Sequence, residues 1–324
     1  MYYIISHNDL DGYGSAYIVK RRLECLEVPS ENITVINTDY SKELDLEKVM
    51  PNDIVFITDF SLKPDDMNKL TCRGVKDIIW IDHHKSALYY KQDYLYLENI
   101  SGIQEVGMSA TALAWIWFYA PDEIKKADIK TQEGWLMQDA PKWVNLVDAW
   151  DVWKLDSSFR EEAEQLNTAV ANILSYEVIE DLYDTMLLQN YLTKGKLYMT
   201  CMKEYSESYL KNYGFEITIN VNYNKYKAIA LNRGACGSKA FNELIDIYDV
   251  CIPFATDGEK VKVSMYSNKG YFDCSEICKS LGGGGHFSAS GFNLDITDPN
   301  LYDMFHKGAE WRFKIDGWPD YRDI

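Results

Sequence analysis

Residues 2–12 of the chain read Tyr-Tyr-Ile-Ile-Ser-His-Asn-Asp-Leu-Asp-Gly, an apolar run that ends in a cluster of polar side chains. The apolar run predicts a buried β-strand, and residues 15–26, which follow it, carry the pattern of a helix. Further short apolar strands are predicted at residues 33–37, 53–58 and 77–81. Because strands alternate with helical stretches in this part of the chain, the sequence predicts an α/β fold built on a parallel sheet.

A second segment rich in predicted strands follows a long stretch without strand alternation. Residues 107–212 carry a mostly helical pattern. Strands are predicted again at residues 215–221, 226–231, 250–254 and 260–264, with helices at residues 238–247 and 275–281. The return of strands after the helical stretch predicts a second α/β domain.

The chain has 324 residues, which is long enough for two domains with separate cores. We predict an N-terminal parallel-sheet domain over residues 1–155, a helical linker over residues 156–212 and a smaller α/β domain over residues 213–324. The predicted fold class is therefore α/β in both domains.

Three predicted strands of the first domain are followed by acidic or imidazole side chains. His7, Asp9 and Asp11 recur at every second position after the first strand, which would place them on one side of an extended segment. Asp59 follows the strand at residues 53–58, and Asp-His-His follows at residues 82–84. Each residue alone could be a helix cap or a turn former. Together, at one sheet edge, they predict a chelating centre, because clustered carboxylates repel each other without a cation.

Two further segments carry candidate functional residues. On a predicted helix, Asp148 and Asp151 share one face beside two tryptophans, although a solvated helix edge is the alternative interpretation. Residues 281–286 read Leu-Gly-Gly-Gly-Gly-His, and consecutive glycines let backbone N–H groups approach an anion, with a following helix N-terminus adding a favourable dipole. A flexible loop is the alternative here. Of five histidines, four lie in these motifs: His7, His83, His84 and His286.

The formal net charge of -17 restricts the class of ligand. A protein that tracks long nucleic acid normally carries a basic stripe, and this sequence has none, which favours a small phosphate-bearing substrate. The seven cysteines form no CxxC pair, and reduced thiols in a cytoplasmic protein are expected. The longest apolar run, residues 110–120, is too short to span a bilayer, so no membrane association is expected.

In this order and over residues 5–292, the motifs resemble the DHH phosphoesterases that carry a DHH-associated C-terminal domain. Within that family the pattern is most similar to the NrnB-like nanoRNases. The resemblance implies a hydrolase that cleaves short RNA or DNA oligonucleotides, or linear dinucleotides, to mononucleotides. It also implies two Mn²⁺ ions, with Mg²⁺ or Co²⁺ as alternatives, that activate a bridging water. A homodimer is one arrangement that the sequence leaves open.

The resemblance also implies a role for each candidate residue. His7 and Asp9 would bind one metal ion, and Asp59 would bridge it to the second. The second ion would be held by Asp11, His83 and Asp151, with Asp148 as the alternative to Asp151. Asp82 would orient the histidines, and His84 would contact the scissile phosphate; with Asp59 these two are the predicted catalytic residues.

The predicted substrate-binding residues lie in the second domain. Gly283, Gly284, Gly285 and His286 would hold a substrate phosphate, as the resemblance implies. Many relatives carry a Ser-Leu-Arg pattern before the glycines, whereas residues 264–267 read Ser-Met-Tyr-Ser here. Tyr266 is therefore predicted to make a stacking or hydroxyl contact, and Arg233 to supply the cation.

Two other functions remain open at this point. The same chemistry would serve a phosphodiesterase of cyclic nucleotides, or a phosphatase of nucleotide monoesters such as 3'-phosphoadenosine 5'-phosphate. A nucleotide sensor without catalysis is the alternative from another class. The complete set of predicted ligands favours an enzyme.

Overall fold

The computed structural model describes residues 1–40, 42–85, 89–95, 100–154, 156–234, 237–241 and 244–318. The chain divides into two compact units, Met1–Met199 and Thr200–Ile324. The division falls inside a single long helix, Thr185–Tyr213, which belongs to the segment predicted as a linker. The predicted boundaries at residues 155 and 212 remain a prediction.

The first unit is built on a parallel five-stranded sheet. In spatial order the strands are β2 (Ile33–Thr38), β1 (Tyr2–His7), β3 (Ile54–Thr58), β4 (Asp77–Asp82) and β5 (Ile100–Gln104). The three strands that end in polar motifs, β1, β3 and β4, are therefore adjacent, and their carboxyl ends lie at one edge. The predicted parallel sheet is confirmed. Strand β5 was missed because its sequence, Ile-Ser-Gly-Ile-Gln, is short and half polar.

Helices cover the sheet and make up the rest of the first unit. Helix α1 begins at Leu10, earlier than predicted, because the Asp9 side chain accepts the N–H of Gly12 and caps it. The α-helices are α1 (Leu10–Cys25), α2 (Pro64–Arg73), α3 (Ala110–Tyr119), α4 (Asp122–Lys125), α5 (Ile129–Asp139), α6 (Lys142–Asp151), α7 (Arg160–Val170), α8 (Tyr176–Asp181) and the start of α9 (Thr185–Tyr213). Short 3-10 helices span Ser30–Asn32 and Tyr89–Asp93.

Helix α3 is the most apolar helix of this unit and packs against α1. Ser109 caps it by accepting the N–H of Ala112 at 3.2 Å. Residues 112–119 of this helix form part of the largest apolar core of the unit, together with Trp143 and Leu146 of α6. Across the described ranges, no helix combines the length and the apolar character needed to cross a membrane.

The second unit contains a seven-stranded mixed sheet. In spatial order the strands are β10 (Gly284–His286), β11 (Ala289–Asp295), β9 (Lys260–Tyr266), β8 (Val250–Thr256), β7 (Asn224–Asn232), β6 (Gly214–Val221) and β12 (Glu310–Phe313). The pairs β7–β8 and β6–β12 are parallel, and the other pairs are antiparallel. The helices are α10 (Leu244–Ile247), α11 (Cys274–Ser280) and α12 (Leu301–Met304), with a 3-10 helix at Ser238–Phe241.

The second unit confirms the predicted α/β class and its four predicted strands, but it corrects the surroundings of the glycine motif. Within the described part of this unit, no helix begins directly after the glycines, which are followed by two strands. Instead, α11 ends at Ser280 before them, and Gly284–His286 forms edge strand β10, paired with β11. Glycine-rich strands carry little apolar patterning, so β10 was not predicted. The predicted helix at residues 238–247 is two short turns, with residues 242 and 243 outside the described residues.

Candidate metal centre

The end of strand β1 fixes the positions of His7 and Asp9. Asp9 Oδ1 accepts the N–H of Gly12 at 3.0 Å, and its Oδ2 lies 2.7 Å from Nδ1 of His7. A Cβ atom on Gly12 would lie 2.1 Å from the carbonyl oxygen of His7. Only glycine lets α1 begin this close to the strand, so Gly12 holds the imidazole and carboxylate together.

Asp11 enters the centre from the first turn of α1. The prediction of one extended segment for His7, Asp9 and Asp11 is wrong, because the helix has already begun at Leu10. Asp11 is 2% exposed, and its oxygens accept the N–H groups of Ala110 at 2.7 Å and Thr111 at 2.8 Å. Two backbone N–H groups at the N-terminus of α3 therefore anchor this carboxylate.

Asp59 lies in the middle of the centre, directly after β3. Its backbone has a φ of 51°, and its N–H donates to the carbonyl oxygen of Ile81 at 3.0 Å. Oδ1 lies 3.2 Å from Nε2 of His83, and Oδ2 lies 3.8 Å from Nδ1 of His7. Oδ2 is buried and meets no hydrogen-bond donor in the part of the chain described. Burial first, and then the nearby carboxylates of Asp11 and Asp9, raise the pKa of Asp59 well above its ordinary value.

Asp82 is fully buried at the end of β4 and positions His84. Its Oδ1 accepts the N–H of His83 at 2.8 Å and lies 2.8 Å from Nδ1 of His84. Its Oδ2 accepts from the Ser61 hydroxyl and, at 3.3 Å, from Nε1 of Trp80. Burial opposes the charge of Asp82, but the hydrogen bonds from His84 and Ser61 keep its pKa below the ordinary value. The hydrogen bond to Asp82 in turn raises the pKa of His84.

The two candidate acidic residues of α6 lie in different surroundings. Oδ2 of Asp151 is buried, 3.3 Å from Nε2 of His83, and has no hydrogen-bond partner among residues of the described ranges. Burial, followed by the charges of Asp11 and Asp9, raises the pKa of Asp151 to about 9. Asp148 instead accepts the N–H of Ser109 at 2.8 Å and pairs with Nζ of Lys154 at 2.5 Å. Both carboxylate oxygens of Asp148 therefore have a partner within the protein, whereas Oδ2 of Asp151 has none in the described ranges.

The side chains form three overlapping groups in which one ligand atom from each residue lies within 4.8 Å of the others. These are His7, Asp9 and Asp59; Asp11, His83 and Asp151; and Asp59, His83 and His84. The donors are carboxylate oxygens and imidazole nitrogens, with no thiolate, and this set suits Mn²⁺ or Mg²⁺. The unpartnered oxygens of Asp59 and Asp151, crowded by other carboxylates, also fit a bound cation.

Tyr40 borders the centre and was not predicted from the sequence. It lies shortly after β2, its ring stacks on Phe60, and its hydroxyl accepts the N–H of Ser61 at 3.2 Å. The ring centroid is 5.9 Å from that of His7 and 6.4 Å from that of His84. Burial and then the charge of Asp82 raise the pKa of Tyr40 to about 12, so the phenol stays neutral. The sequence did offer one signal for this residue, because Tyr40 is an aromatic residue shortly after the end of a fourth strand, β2.

The glycine motif lies in the second unit, and packing explains part of its composition. A Cβ on Gly283 would lie 2.1 Å from the carbonyl oxygen of Gly291, and Gly285 has a φ of 142°. His286 is exposed at the end of β10. Gly282 and Gly283 line a cavity of about 450 Å³ together with Lys260 and Lys262. Gly283 and Gly285 therefore fit the close packing against β11, and of the predicted glycines only Gly283 borders this basic cavity.

The other two predicted substrate residues line a second cavity. Arg233 and Tyr266 border a space of about 530 Å³, and Lys262 and Ser264 line both cavities. Arg233 also donates to the Ser206 hydroxyl at 3.0 Å, and its guanidinium lies over the ring of Tyr205 at 5.1 Å. The structure thus places Arg233, Tyr266 and the glycines around one strand, β9. Lys262 was not predicted, since the alternation of Lys260 and Lys262 with valines is also the ordinary pattern of a strand with one solvated face.

Residues 1–133 match the DHH family, N-terminal domain. The N-terminal part of this chain is a DHH domain. The match includes the ends of β1, β3 and β4, and it confirms the family that the motifs predicted. Asp148 and Asp151 follow the matched segment in the chain but remain in the same compact unit.

The chain is similar to known proteins over nearly its whole length. It is 25% identical to oligoribonuclease NrnB of Bacillus subtilis, over 98% of this chain and 77% of the relative. The solved structure of PggH, a pGpG-specific phosphodiesterase from Vibrio cholerae, aligns with a TM-score of 0.53 at 14% identity, covering 94% of this chain and 96% of that one. RecJ of Thermus thermophilus in complex with Mn²⁺ aligns with a TM-score of 0.49 at 13% identity, covering 97% of this chain and 53% of RecJ.

Proposed function

We propose that this DHH chain is a divalent-metal-dependent phosphodiesterase that hydrolyses short oligonucleotides or linear dinucleotides to mononucleotides. The observation that carries the proposal is the convergence of His7, Asp9, Asp11, Asp59 and His83, with Asp151, at one edge of the parallel sheet. The similarity to an oligoribonuclease over 98% of the chain supports the same class of reaction. A cytoplasmic location remains part of the proposal.

The ligand set is the first step of the argument. His7 and Asp9 would hold one Mn²⁺ or Mg²⁺ ion, Asp11, His83 and Asp151 a second, and Asp59 would contact both. When bound, two such ions lower the pKa of a water molecule and offset the charge on the leaving oxygen. Crowded carboxylates supply the negative charge that two divalent cations require, which explains why the site keeps four of them, two of which are buried.

The remaining residues of the centre orient the substrate. Asp82 holds Nδ1 of His84 and raises the pKa of this imidazole, and the doubly protonated ring would donate its Nε2–H to an oxygen of the scissile phosphate. Ser61 and Trp80 fix Asp82 from its other side, so the imidazole keeps one orientation. A preorganised donor of this kind stabilises the charge that develops on the phosphate during the reaction.

The charge of the chain supports a short substrate. At -17 the protein cannot gain affinity for a long strand by releasing many counterions. In the second unit, Lys260, Lys262 and Arg233 line the two cavities beside β9, which suits one or two phosphates and not a polymer. We expect turnover to be highest for about two to five nucleotides.

A product assay tests the proposal. Purified protein with Mn²⁺ is offered pApA, a ladder of short RNAs, cyclic dinucleotides, 3'-phosphoadenosine 5'-phosphate and pyrophosphate, with Asp59→Asn as the inactive control. We expect mononucleotides from pApA and the shortest RNAs, and no turnover after dialysis against EDTA. Full turnover in EDTA would contradict metal dependence, and faster cleavage of long strands would contradict the short substrate.

A further inference from the structure

Tyr40 presents an aromatic ring to solvent directly beside the candidate metal centre. The ring centroid lies 5.9 Å from that of His7, and the ring meets that of His84 edge-on at 6.4 Å. Tyr40 borders a cluster in which Asp11 and Asp59 are buried, but it is itself 49% exposed. Part of this side chain is therefore accessible to a ligand that binds at the centre.

The protein fixes this ring at two points. One face stacks on Phe60, with centroids 4.5 Å apart and an interplanar angle of 20°, and Phe60 is itself buried. The hydroxyl oxygen accepts the backbone N–H of Ser61 at 3.2 Å. Because the ring is held in place before any ligand arrives, little side-chain entropy would be lost on binding.

We propose that Tyr40 is the stacking platform for the nucleobase of the nucleotide whose phosphate lies in the metal centre. This inference rests on the proposed function, because it requires a nucleotide at that centre. A base is tethered to its phosphate through the ribose, so it must lie beside the centre, where Tyr40 offers a half-exposed ring backed by Phe60. Stacking on an aromatic side chain accepts any base, since every base has a π face.

A purely structural role makes a different prediction. The Tyr40 hydroxyl accepts from Ser61, the Ser61 hydroxyl donates to Asp82, and Asp82 holds His84. If Tyr40 acted only through these hydrogen bonds, removal of the hydroxyl would lower kcat/KM, and removal of the ring as well would cause no further loss. Tyr40→Phe removes the hydroxyl and keeps the ring, whereas Tyr40→Ala removes both.

The experiment compares substrates with and without a base. For Tyr40→Ala we expect kcat/KM for pApA, divided by kcat/KM for bis-p-nitrophenyl phosphate, to fall by about ten- to a hundredfold. Tyr40→Phe should keep this ratio within about threefold. As a binding readout, inhibition of bis-p-nitrophenyl phosphate hydrolysis by AMP should weaken in Tyr40→Ala by a similar factor, while inhibition by inorganic phosphate should weaken far less. Tyr198→Ala, which removes an exposed tyrosine of α9, is the matched control.

Two results would overturn the platform. One is an equal loss by Tyr40→Ala on pApA and on bis-p-nitrophenyl phosphate, and the other is a loss by Tyr40→Phe as large as that by Tyr40→Ala. Failure of the proposed function is distinguishable, because wild-type protein would then leave pApA intact. The ratio of AMP to phosphate inhibition would still decide whether Tyr40 binds a base.

Discussion

Oδ2 of Asp151 lies 3.3 Å from Nε2 of His83 and meets no hydrogen-bond donor in the described segments. An unpaired buried carboxylate oxygen is costly in a folded protein unless a cation or a proton compensates it. This oxygen therefore identifies Asp151, and not Asp148 one turn earlier in α6, as the better candidate ligand.

Substitution of the two residues should separate their roles. Asp151→Asn should weaken Mn²⁺ binding by at least about tenfold without lowering the free energy of unfolding in EDTA. Asp148→Asn should instead lower that free energy by about 1–3 kcal/mol, because it weakens the contacts with Ser109 and Lys154. Isothermal titration calorimetry and urea unfolding measure the two effects. If Asp148→Asn alone abolishes metal binding, the assignment is reversed.

Replacing Asp59 should remove activity while leaving the fold intact. Asp59→Asn should reduce kcat by at least about a hundredfold, because this carboxylate lies between both groups of candidate ligands. The pKa of Asp59 is raised in the folded protein, so stability without metal declines as pH rises from the ordinary carboxyl pKa toward the raised value. In EDTA, urea unfolding should show a higher free energy of unfolding for Asp59→Asn than for wild type at pH 8. This difference should be smaller at pH 5.

Asp65→Asn, an exposed position in the first turn of α2, is the control for Asp59→Asn. Its turnover and its stability should match those of the wild type. Retention of more than about a tenth of the wild-type rate by Asp59→Asn would rule out a bridging role, since a shared ligand cannot be spared.

Metal binding should release protons. The pKa of Asp151 is raised to about 9 without metal, mainly by burial and by Asp11, so this group is protonated at neutral pH. A metal ion requires the carboxylate, so Mn²⁺ affinity should increase as pH rises toward 9. Calorimetric titrations at pH 7 in MOPS and in Tris should differ in apparent enthalpy, and the difference should shrink in Asp151→Asn. Equal enthalpies in both buffers would contradict the protonated state.

Asp82 should act on turnover through His84 and not through the metal. Asp82→Asn removes the charged acceptor that holds Nδ1 of His84 at 2.8 Å. We expect kcat for bis-p-nitrophenyl phosphate to fall about ten- to a hundredfold while the Mn²⁺ dissociation constant changes far less. A parallel loss of metal affinity would instead make Asp82 a part of the metal site.

His286 should matter only for substrates with a second phosphate. If the glycine motif binds that phosphate, His286→Ala should lower kcat/KM for pApA by about ten- to a hundredfold, the effect of one charge-assisted hydrogen bond. The loss should be small for ApA, which lacks the terminal phosphate. Steady-state kinetics with both dinucleotides measure the difference, and an equal loss on ApA would assign His286 another role.

Much of the fold and of the candidate centre was accessible from the sequence, because both depend on local patterns. The apolar runs at β1, β3 and β4 end in His7, Asp59 and Asp82, and parallel strands bring their carboxyl ends to one edge. A short apolar strand and the polar residue after it are neighbours in the sequence. The position of that residue at the strand end can therefore be predicted without knowledge of the rest of the chain.

Relations between distant segments were decided only by the tertiary structure. Asp148 and Asp151 are equivalent in helical pattern, but Ser109 and Lys154 pair with Asp148 and leave Asp151 facing His83. Gly283 and Gly285 are required by close packing against β11, which no local pattern encodes. Tyr40 reaches the centre because Phe60, twenty residues on, supports its ring. Local sequence specifies which chemical groups a strand end carries, whereas burial and pairing across the chain decide which of them stay available to a ligand.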